Sequence, residues 1–453
     1  MITDTNPYAG KRTVVLGLGR SGIAAARLLR RCGALVTALD SGESALLQER
    51  AEMLRGEGIS VTTGSEAKKD PLRHDLAILS PGIEESAALV TNVTSKGTSL
   101  IGELELAFTL SNVAVIAITG TNGKTTTTEL TTRMLQGAGL NAAACGNIGT
   151  PMSELLLDDE KRDVFVAEVS SFQLETIGIF RPKVAMWLNL SPNHLDRYPS
   201  MKEYRESKLR IFENQKPEDW AVIPAGEDLP ELKARKITFC IDEGASRSPE
   251  DLTFTKQGEI FHQGKLLLDM NLTKLRGPHN AANLMAAFGA GIALGADTSR
   301  MAAAVTDYTP PAHRCEFIGT RRGIRWINDS KATNLNAMEQ AILSVEGPLV
   351  IIAGGKDKGF EFSPIAPLVR ERAALAILIG EMRHRIARDW APVPTIVAES
   401  LEEAVAIAAK SAPGSTVLFS PGTSSFDMFR DYIRRGEAFR SLVQSLPENQ
   451  QPA

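Results

Sequence analysis

NVAVIAITGTNGKTTTTELTTRML, residues 112–135, contains three successive readings. Asn112 to Ile118 is a continuous apolar run of strand length, suited to a parallel sheet covered on both faces. Gly120-Thr121-Asn122-Gly123-Lys124-Thr125-Thr126 follows at once, and Thr125 to Leu135 then carries helical spacing. Glycines in such a loop expose backbone N–H groups in a concavity. Lys124 supplies positive charge to the outer phosphates of ATP, and the Thr125 hydroxyl can reach a magnesium ion. The spacing is shorter than that of the usual phosphate loop, but the flanking strand and helix make it specific. Thr126 and Thr127 are expected to fill the first helical turn.

Upstream, a strand at Arg12 to Leu18 runs into Gly17-Leu18-Gly19-Arg20-Ser21-Gly22 and a helix, and a second strand ends at Asp40. This is a βαβ start with Gly-x-Gly-x-x-Gly spacing. Dinucleotide binding is the stock reading, and a purely structural tight turn is the alternative. Another strand ends at Leu79-Ser80, before Pro81-Gly82-Ile83. Downstream, Val164 to Val169 and Val184 to Leu190 look like buried strands, and Ile237 to Leu272 reads as antiparallel hairpins. A helix is expected from about Asn280. After Pro310-Pro311 a strand–helix rhythm resumes at Gly323, Leu349, Leu375, Val393 and Thr416. The expectation is α/β throughout, in three domains with limits at 1–110, 111–310 and 311–453.

A chain of 453 residues exceeds what one core usually organises. Lys plus Arg is 50 against 54 for Asp plus Glu, so no global positive field exists for nucleic acid or anionic lipid. Cys32, Cys145, Cys240 and Cys315 are too far apart for a metal knuckle and read as buried free thiols, which fits a reducing cytoplasm. The start, Met1-Ile2-Thr3-Asp4, lacks a basic region leading into an apolar core, and Ala281 to Ala296 is too short for a span, so no membrane insertion is expected.

Several polar residues stand at strand ends, where open α/β sheets bind ligands. Glu168 ends one strand and is a candidate magnesium ligand. His194 lies beyond another, in a turn with Asn193 and Asp196. Lys208 falls in a helix pattern, and its local reading is a surface lysine. His313-Arg314 and the run Asn328-Asp329-Ser330-Lys331-Ala332-Thr333-Asn334 open the last domain, where Arg and Lys could clamp a phosphoryl group.

Together these motifs resemble the Mur ligases of peptidoglycan synthesis, in their D-glutamate-adding branch. The anchors are GLGRSG at 17–22, SPGI at 80–83, TGTNGKTTT at 119–127, GNIG at 146–149 and EVSSFQLE at 168–175. They continue with NHLDRY at 193–198, GPHNAAN at 277–283, HRCE at 313–316, NDSKATN at 328–334 and SPGTSSFD at 420–427. The resemblance implies a Rossmann-like first domain, a central P-loop ATPase-like domain and a Rossmann-like third domain, with ATP and Mg2+ as cofactors, and UDP-N-acetylmuramoyl-L-alanine and D-glutamate as substrates of a cytoplasmic, monomeric enzyme. It replaces the dinucleotide reading of Gly17 to Gly22 with a UDP-sugar site at Gly19, Ser21, Ser80, Gly82, Asn147 and Ser170. It assigns ATP to the phosphate loop with Asn280, Asn283, Arg314 and Asp329, and D-glutamate to Lys331, Thr333, Ser425 and Phe426. Thr125, Glu168 and His194 become metal-site residues. Lys208 becomes the lysine that is carbamylated in this family, which reverses its local reading. Lys124, Glu168, His194 and Lys208 form the implied catalytic set.

Two departures from the family pattern stand out. Asn193 replaces the frequent Asp before the histidine, and Tyr432 replaces a common Phe, where an exposed ring would change little. Folylpolyglutamate synthases share the loop style. Meso-diaminopimelate-adding ligases usually carry Asp-Asn-Pro-Arg, which is absent from this sequence. A non-catalytic nucleotide-regulated module would lack the metal set.

Overall fold

The computed structural model describes residues 6–147, 149–158, 160–194, 197–241, 248, 251–345 and 347–447. Ile148 of the GNIG anchor, Leu195 and Asp196 of the histidine turn, and most of the polar tail lie outside the described residues. The architecture is three α/β domains, each built on its own sheet.

The first sheet contains β1 (Arg12–Leu16), β2 (Leu35–Asp40), β3 (Ser60–Thr63), β4 (Leu76–Leu79) and β5 (Ser99–Gly102). Its order is β3-β2-β1-β4-β5, and every pairing is parallel. The second sheet has nine strands: β6 (Ala114–Thr119), β7 (Ala142–Gly146), β8 (Val164–Glu168), β9 (Val184–Trp187), β10 (Trp220–Pro224), β11 (Arg235–Cys240), β12 (Leu252–Phe254), β13 (Glu259–His262) and β14 (Lys265–Asp269). They run in the order β14-β13-β12-β11-β10-β9-β6-β8-β7. The antiparallel pairing expected from Ile237 begins later, at β12, because β11 pairs in parallel with both its neighbours. β8 and β9 are buried along their whole length, as continuous apolar runs require in a doubly covered sheet. The third sheet contains β15 (Glu316–Arg321), β16 (Ile324–Asn328), β17 (Leu349–Gly354), β18 (Ala373–Ile379), β19 (Thr395–Val397) and β20 (Thr416–Phe419), ordered β15-β16-β20-β17-β18-β19. Separate apolar clusters around Ile351 and Phe419 cover its two faces.

The chain divides into two compact units. One is formed from Met1–Asn189, Lys202–Asp269 and Ala282–Thr306, the other from Leu190–Met201, Met270–Ala281 and Asp307–Ala453. Within the first unit, the buried Glu105 carboxylate accepts from the backbone N–H groups of Gly178, Ile179 and Phe180 at 2.8–2.9 Å, tying the helix Glu103–Thr109 to a loop of the second sheet. Among the described residues, no helix is long and apolar enough to cross a membrane. Cys32, Cys145 and Cys240 are buried free thiols as expected, whereas Cys315 is only half-buried.

Candidate active site

In the first unit, β6 delivers the chain into the phosphate loop, and the helix Lys124–Gly137 leaves it. Gly123 has φ +83°, and a Cβ there would stand 2.5 Å from the Asn283 amide oxygen, so only glycine fits. Asn189, just beyond β9, pins the loop from the side. Its Oδ1 accepts from the Asn122 N–H at 2.9 Å and its Nδ2 donates to the Asn122 carbonyl at 3.1 Å. Asn283 also accepts from the Thr127 hydroxyl at 3.1 Å, so Thr127 does more than fill a helical turn.

Lys124 Nζ donates back to the carbonyls of Gly120 at 2.8 Å and Thr121 at 3.0 Å. Lys208 Nζ reaches the same Gly120 carbonyl at 3.0 Å, and the Thr119 hydroxyl at 3.4 Å. Two ammonium groups thus share one acceptor. Lys208 is only 1% exposed and sits 4.8 Å from the centre of the Tyr204 ring. Loss of hydration pushes its pKa well below the ordinary lysine value. Repulsion from Lys124 adds to this, and the Glu168 carboxylate partly opposes it. The local expectation of a surface lysine is therefore overturned. The side chain follows Tyr204 by four residues on a helix face that turns inward.

Glu168, at the end of β8, is 1% exposed. Its Oε2 accepts from the Thr125 hydroxyl at 2.8 Å and its Oε1 from Asn147 Nδ2 at 3.0 Å. Both partners are neutral, so the carboxylate is not held by a base. A hydroxyl and a carboxylate this close suit a hard cation that prefers oxygen. Among the described residues, no group of three or more His, Cys, Asp or Glu side chains converges as a ready-made metal cage.

At the first sheet, Leu18 N donates to Asp40 Oδ2 at 2.8 Å, and Ser80 Oγ donates to the Gly17 carbonyl at 3.2 Å. A Cβ on Gly22 would lie 1.9 Å from that carbonyl. Asp40 and Ser80 therefore build the glycine turn itself. Ser21 is half-buried, while Gly19 and Gly82 are exposed. Ser170 caps the helix Ser171–Glu175 in a reciprocal box with Gln173.

The second unit holds the remaining candidates. His194 has φ +56°, and its carbonyl accepts from Arg197 and Tyr198 N–H groups at 3.0 and 2.9 Å. The neighbouring Asn193 Oδ1 is buried without a hydrogen-bond partner among the described residues. Asn280 donates its amide to the Arg276 carbonyl at 2.8 Å. Asp329 is buried and accepts from Ser420 Oγ at 2.8 Å and Cys315 N at 3.2 Å. Burial pushes its pKa up to about 7, against these hydrogen bonds and the pull of Arg314. Lys331 Nζ lies 4.1 Å from the centre of the half-buried Tyr432 ring, so that ring is a cation platform rather than a freely exposed surface. Thr333 is half-buried beside Asn334, which caps the helix Leu335–Ser344. Ser425 is buried and Phe426 is 66% exposed.

Sequence reasoning passed over Arg435, which is 1% exposed and makes no ion pair among the described residues. Its guanidinium donates to Ser330 Oγ at 3.1 Å and the Ser330 carbonyl at 2.8 Å, and to the Thr423 carbonyl at 3.1 and 3.2 Å. It thereby joins the loop of residues 328–334 to that of 420–427. The signal was present: Arg435, Phe439 and Val443 recur at helical spacing, and all three are buried. Asn189 and Tyr204 were also missed. Nothing local distinguishes an asparagine that pins a loop from one facing water.

Three family models match in order along the chain. They describe a Mur ligase MurD-like N-terminal domain over 11–102, a Mur ligase middle domain over 118–291, and a Mur ligase glutamate ligase domain over 313–422. A UDP-N-acetylmuramoylalanine--D-glutamate ligase of Geobacter metallireducens is 39% identical, over 98% of this chain and 99% of its own length. The chain belongs to the Mur ligase family. Another relative of this Mur ligase, with the same name and from Pelobacter propionicus, is 40% identical over 96% of the chain and 99% of its own length. Solved structures share the fold at lower identity. A pseudomurein peptide ligase type C from Methanothermus fervidus has a TM-score of 0.62 and 19% identity, covering 96% of this chain and 99% of its own. MurF ligase from Thermotoga maritima, in complex with ADP, has a TM-score of 0.61 and 15% identity, covering 98% and 97%.

Proposed function

We propose that this Mur ligase joins D-glutamate to UDP-N-acetylmuramoyl-L-alanine in peptidoglycan precursor synthesis, converting ATP to ADP and phosphate. The observation that carries the reading is near-full-length similarity, at 39–40% identity, to relatives bearing that activity in their names. The phosphate loop and the buried Lys208–Glu168–Thr125 neighbourhood support it. The enzyme is a cytoplasmic monomer, with domain limits at 1–110, 111–310 and 311–453.

A carboxylate does not accept an amine at neutral pH without activation. The alanyl carboxylate oxygen attacks the γ-phosphorus of ATP, the bond to the β–γ bridging oxygen breaks, and ADP leaves. The amine of D-glutamate, after losing a proton, attacks the acyl carbon, and phosphate departs with the electron pair of the acyl–oxygen bond. Lys124 turns from its own loop carbonyls to the phosphoryl oxygens as negative charge gathers there. Thr125 and Glu168 would hold magnesium, which supplies charge neutralisation at the phosphates when bound. Its depressed pKa makes Lys208 an amine rather than an ammonium more readily, and the amine is the form that adds carbon dioxide. The resulting carbamate turns a repelled cation into an anionic oxygen ligand beside Lys124. His194 keeps its proposed part in metal binding.

In the second unit, Lys331 offers a cation to a substrate carboxylate, and Thr333 and Ser425 offer hydroxyls. Asp329 and Arg314 take ATP-site roles, as do Asn280 there and Asn283 in the first unit. Gly19, Ser21, Ser80, Gly82, Asn147 and Ser170 serve the UDP-sugar. The test is phosphate release measured with each substrate omitted in turn, across a panel of amino acids. Release should need both UDP-N-acetylmuramoyl-L-alanine and D-glutamate. Release that ignores D-glutamate, or prefers another amino acid, would overturn the proposal.

A further inference from the structure

A cavity with a mainly apolar lining, to which Arg12, Arg30, Thr37, Ser60 and His74 also contribute, lies at the amino ends of the first sheet, the edge opposite the glycine turn. Its volume is about 360 Å3, within the range of small-molecule sites. Strand register builds it. Arg12 pairs with Leu35 and Thr37 with Ser60, so these side chains share one face of β1, β2 and β3 where the strands begin. Arg30, from the last turn of the helix Arg20–Arg31, and His74, just before β4, complete the wall.

The donors here are unspent. Neither the Arg12 nor the Arg30 guanidinium makes a hydrogen bond or ion pair among the described residues, and neither do the hydroxyls of Thr37 and Ser60. The carboxylates nearby already hold partners, two of them on residues of the cavity wall. Glu57 is gripped by Arg27 at 2.5–3.1 Å, Asp70 bonds His74 Nε2 at 2.7 Å, and Asp75 accepts from the Arg12 backbone N–H at 2.8 Å. His74 is 3% exposed, and its Nδ1 is buried with no hydrogen-bond partner among the described residues. Leu35 and Leu72, 63% and 52% exposed, add apolar surface at the rim. Two guanidiniums and two hydroxyls on one cavity wall supply N–H and O–H donors of the kind phosphate oxygens accept, and the volume exceeds what a bare phosphate fills.

We propose that this cavity binds a phosphomonoester carrying a small apolar body. It is separate from the phosphate loop and from the glycine turn, and it does not depend on the ligation reaction proposed above. The probes are 1-naphthyl phosphate, 1-naphthol and inorganic phosphate. Each is titrated calorimetrically into the full chain with saturating ADP and magnesium, which occupy the phosphate loop. Naphthyl phosphate should bind saturably and more tightly than inorganic phosphate, and naphthol should not bind. Arg12→Ala with Arg30→Ala should weaken binding at least tenfold while leaving the melting temperature and phosphate-release rate unchanged. If that pair fails to fold, Thr37→Val with Ser60→Ala should weaken binding in the same direction. A second arm sediments the protein with phosphatidylcholine vesicles, with and without phosphatidic acid. Capture by phosphatidic acid without naphthyl phosphate binding assigns the monoester to a lipid headgroup, and naphthyl phosphate binding assigns it to a soluble molecule. No saturable binding in either arm, or equal binding by the arginine variant, overturns the proposal.

Discussion

Replacing Arg435 by Met separates positioning from stability. The guanidinium lies away from water, which pulls its pKa down to about 10, below the ordinary arginine value. A base whose pKa is depressed on folding destabilises the folded state at every pH below its folded value, and the penalty fades only as pH rises above about 10 toward the ordinary arginine value. A shift of this size corresponds to about 3 kcal/mol at neutral pH. Methionine removes that penalty, but it leaves the Ser330 and Thr423 carbonyls without their donor, at roughly 1–3 kcal/mol each. The two effects nearly cancel, so the melting temperature should move by only a few degrees. What does not cancel is geometry. The loops of 328–334 and 420–427 lose their shared tie, and both carry proposed D-glutamate contacts. KM for D-glutamate should rise at least about tenfold, which needs only about 1.4 kcal/mol of lost loop order. Arg435→Lys, with a single ammonium in place of the fork, should recover part of the loss. The assay is steady-state phosphate release with D-glutamate varied, alongside thermal melts. An unchanged KM and kcat in Arg435→Met, in a protein that still melts normally, would refute the clamp.

Other outcomes follow from the same structure. Lys124→Ala should lower phosphate release by at least about a hundredfold while far-UV circular dichroism stays native, since its bonds to the Gly120 and Thr121 carbonyls lie within the loop. Lys208→Ala should lose activity severely and regain part of it with added short carboxylates, and full activity without them would exclude the carbamate. In bicarbonate-free buffer, Lys208→Met should melt higher than the parent, because a lysine with a depressed pKa destabilises the fold below that pKa. The gap should narrow as pH rises toward the unfolded value. Asp329 behaves in the opposite sense. Its pKa is raised from 3.8 to about 7, so the stability from its buried neutral form is complete below about pH 4 and is lost as pH climbs through 7. Asp329→Asn should therefore flatten the fall in melting temperature across that interval, and an unchanged slope would remove Asp329 as its source.

The α/β class, most strands and the phosphate loop were legible because each depends on neighbours within a few residues. An apolar run, a glycine turn and a helical stripe announce themselves locally. Strands such as β3, β5, β7 and β15 were less legible. They are short and polar or small in sequence, and pairing across the sheet, parallel for β3, β5 and β7 and antiparallel for β15, rather than propensity, makes them strands.

The sequence by itself determined that a strand, a glycine loop with Lys124 and a helix stand in succession, and that polar residues follow the strands around them. Only the tertiary structure decided that Lys208 is buried against Gly120, that Asn189 and Asn283 hold the phosphate loop, and that Arg435 joins two distant loops. The reason is physical. A side chain's hydration, its pKa and its hydrogen-bond partners are set by whatever the folded chain brings beside it, often from a hundred residues away, and spacing within one element carries no record of that.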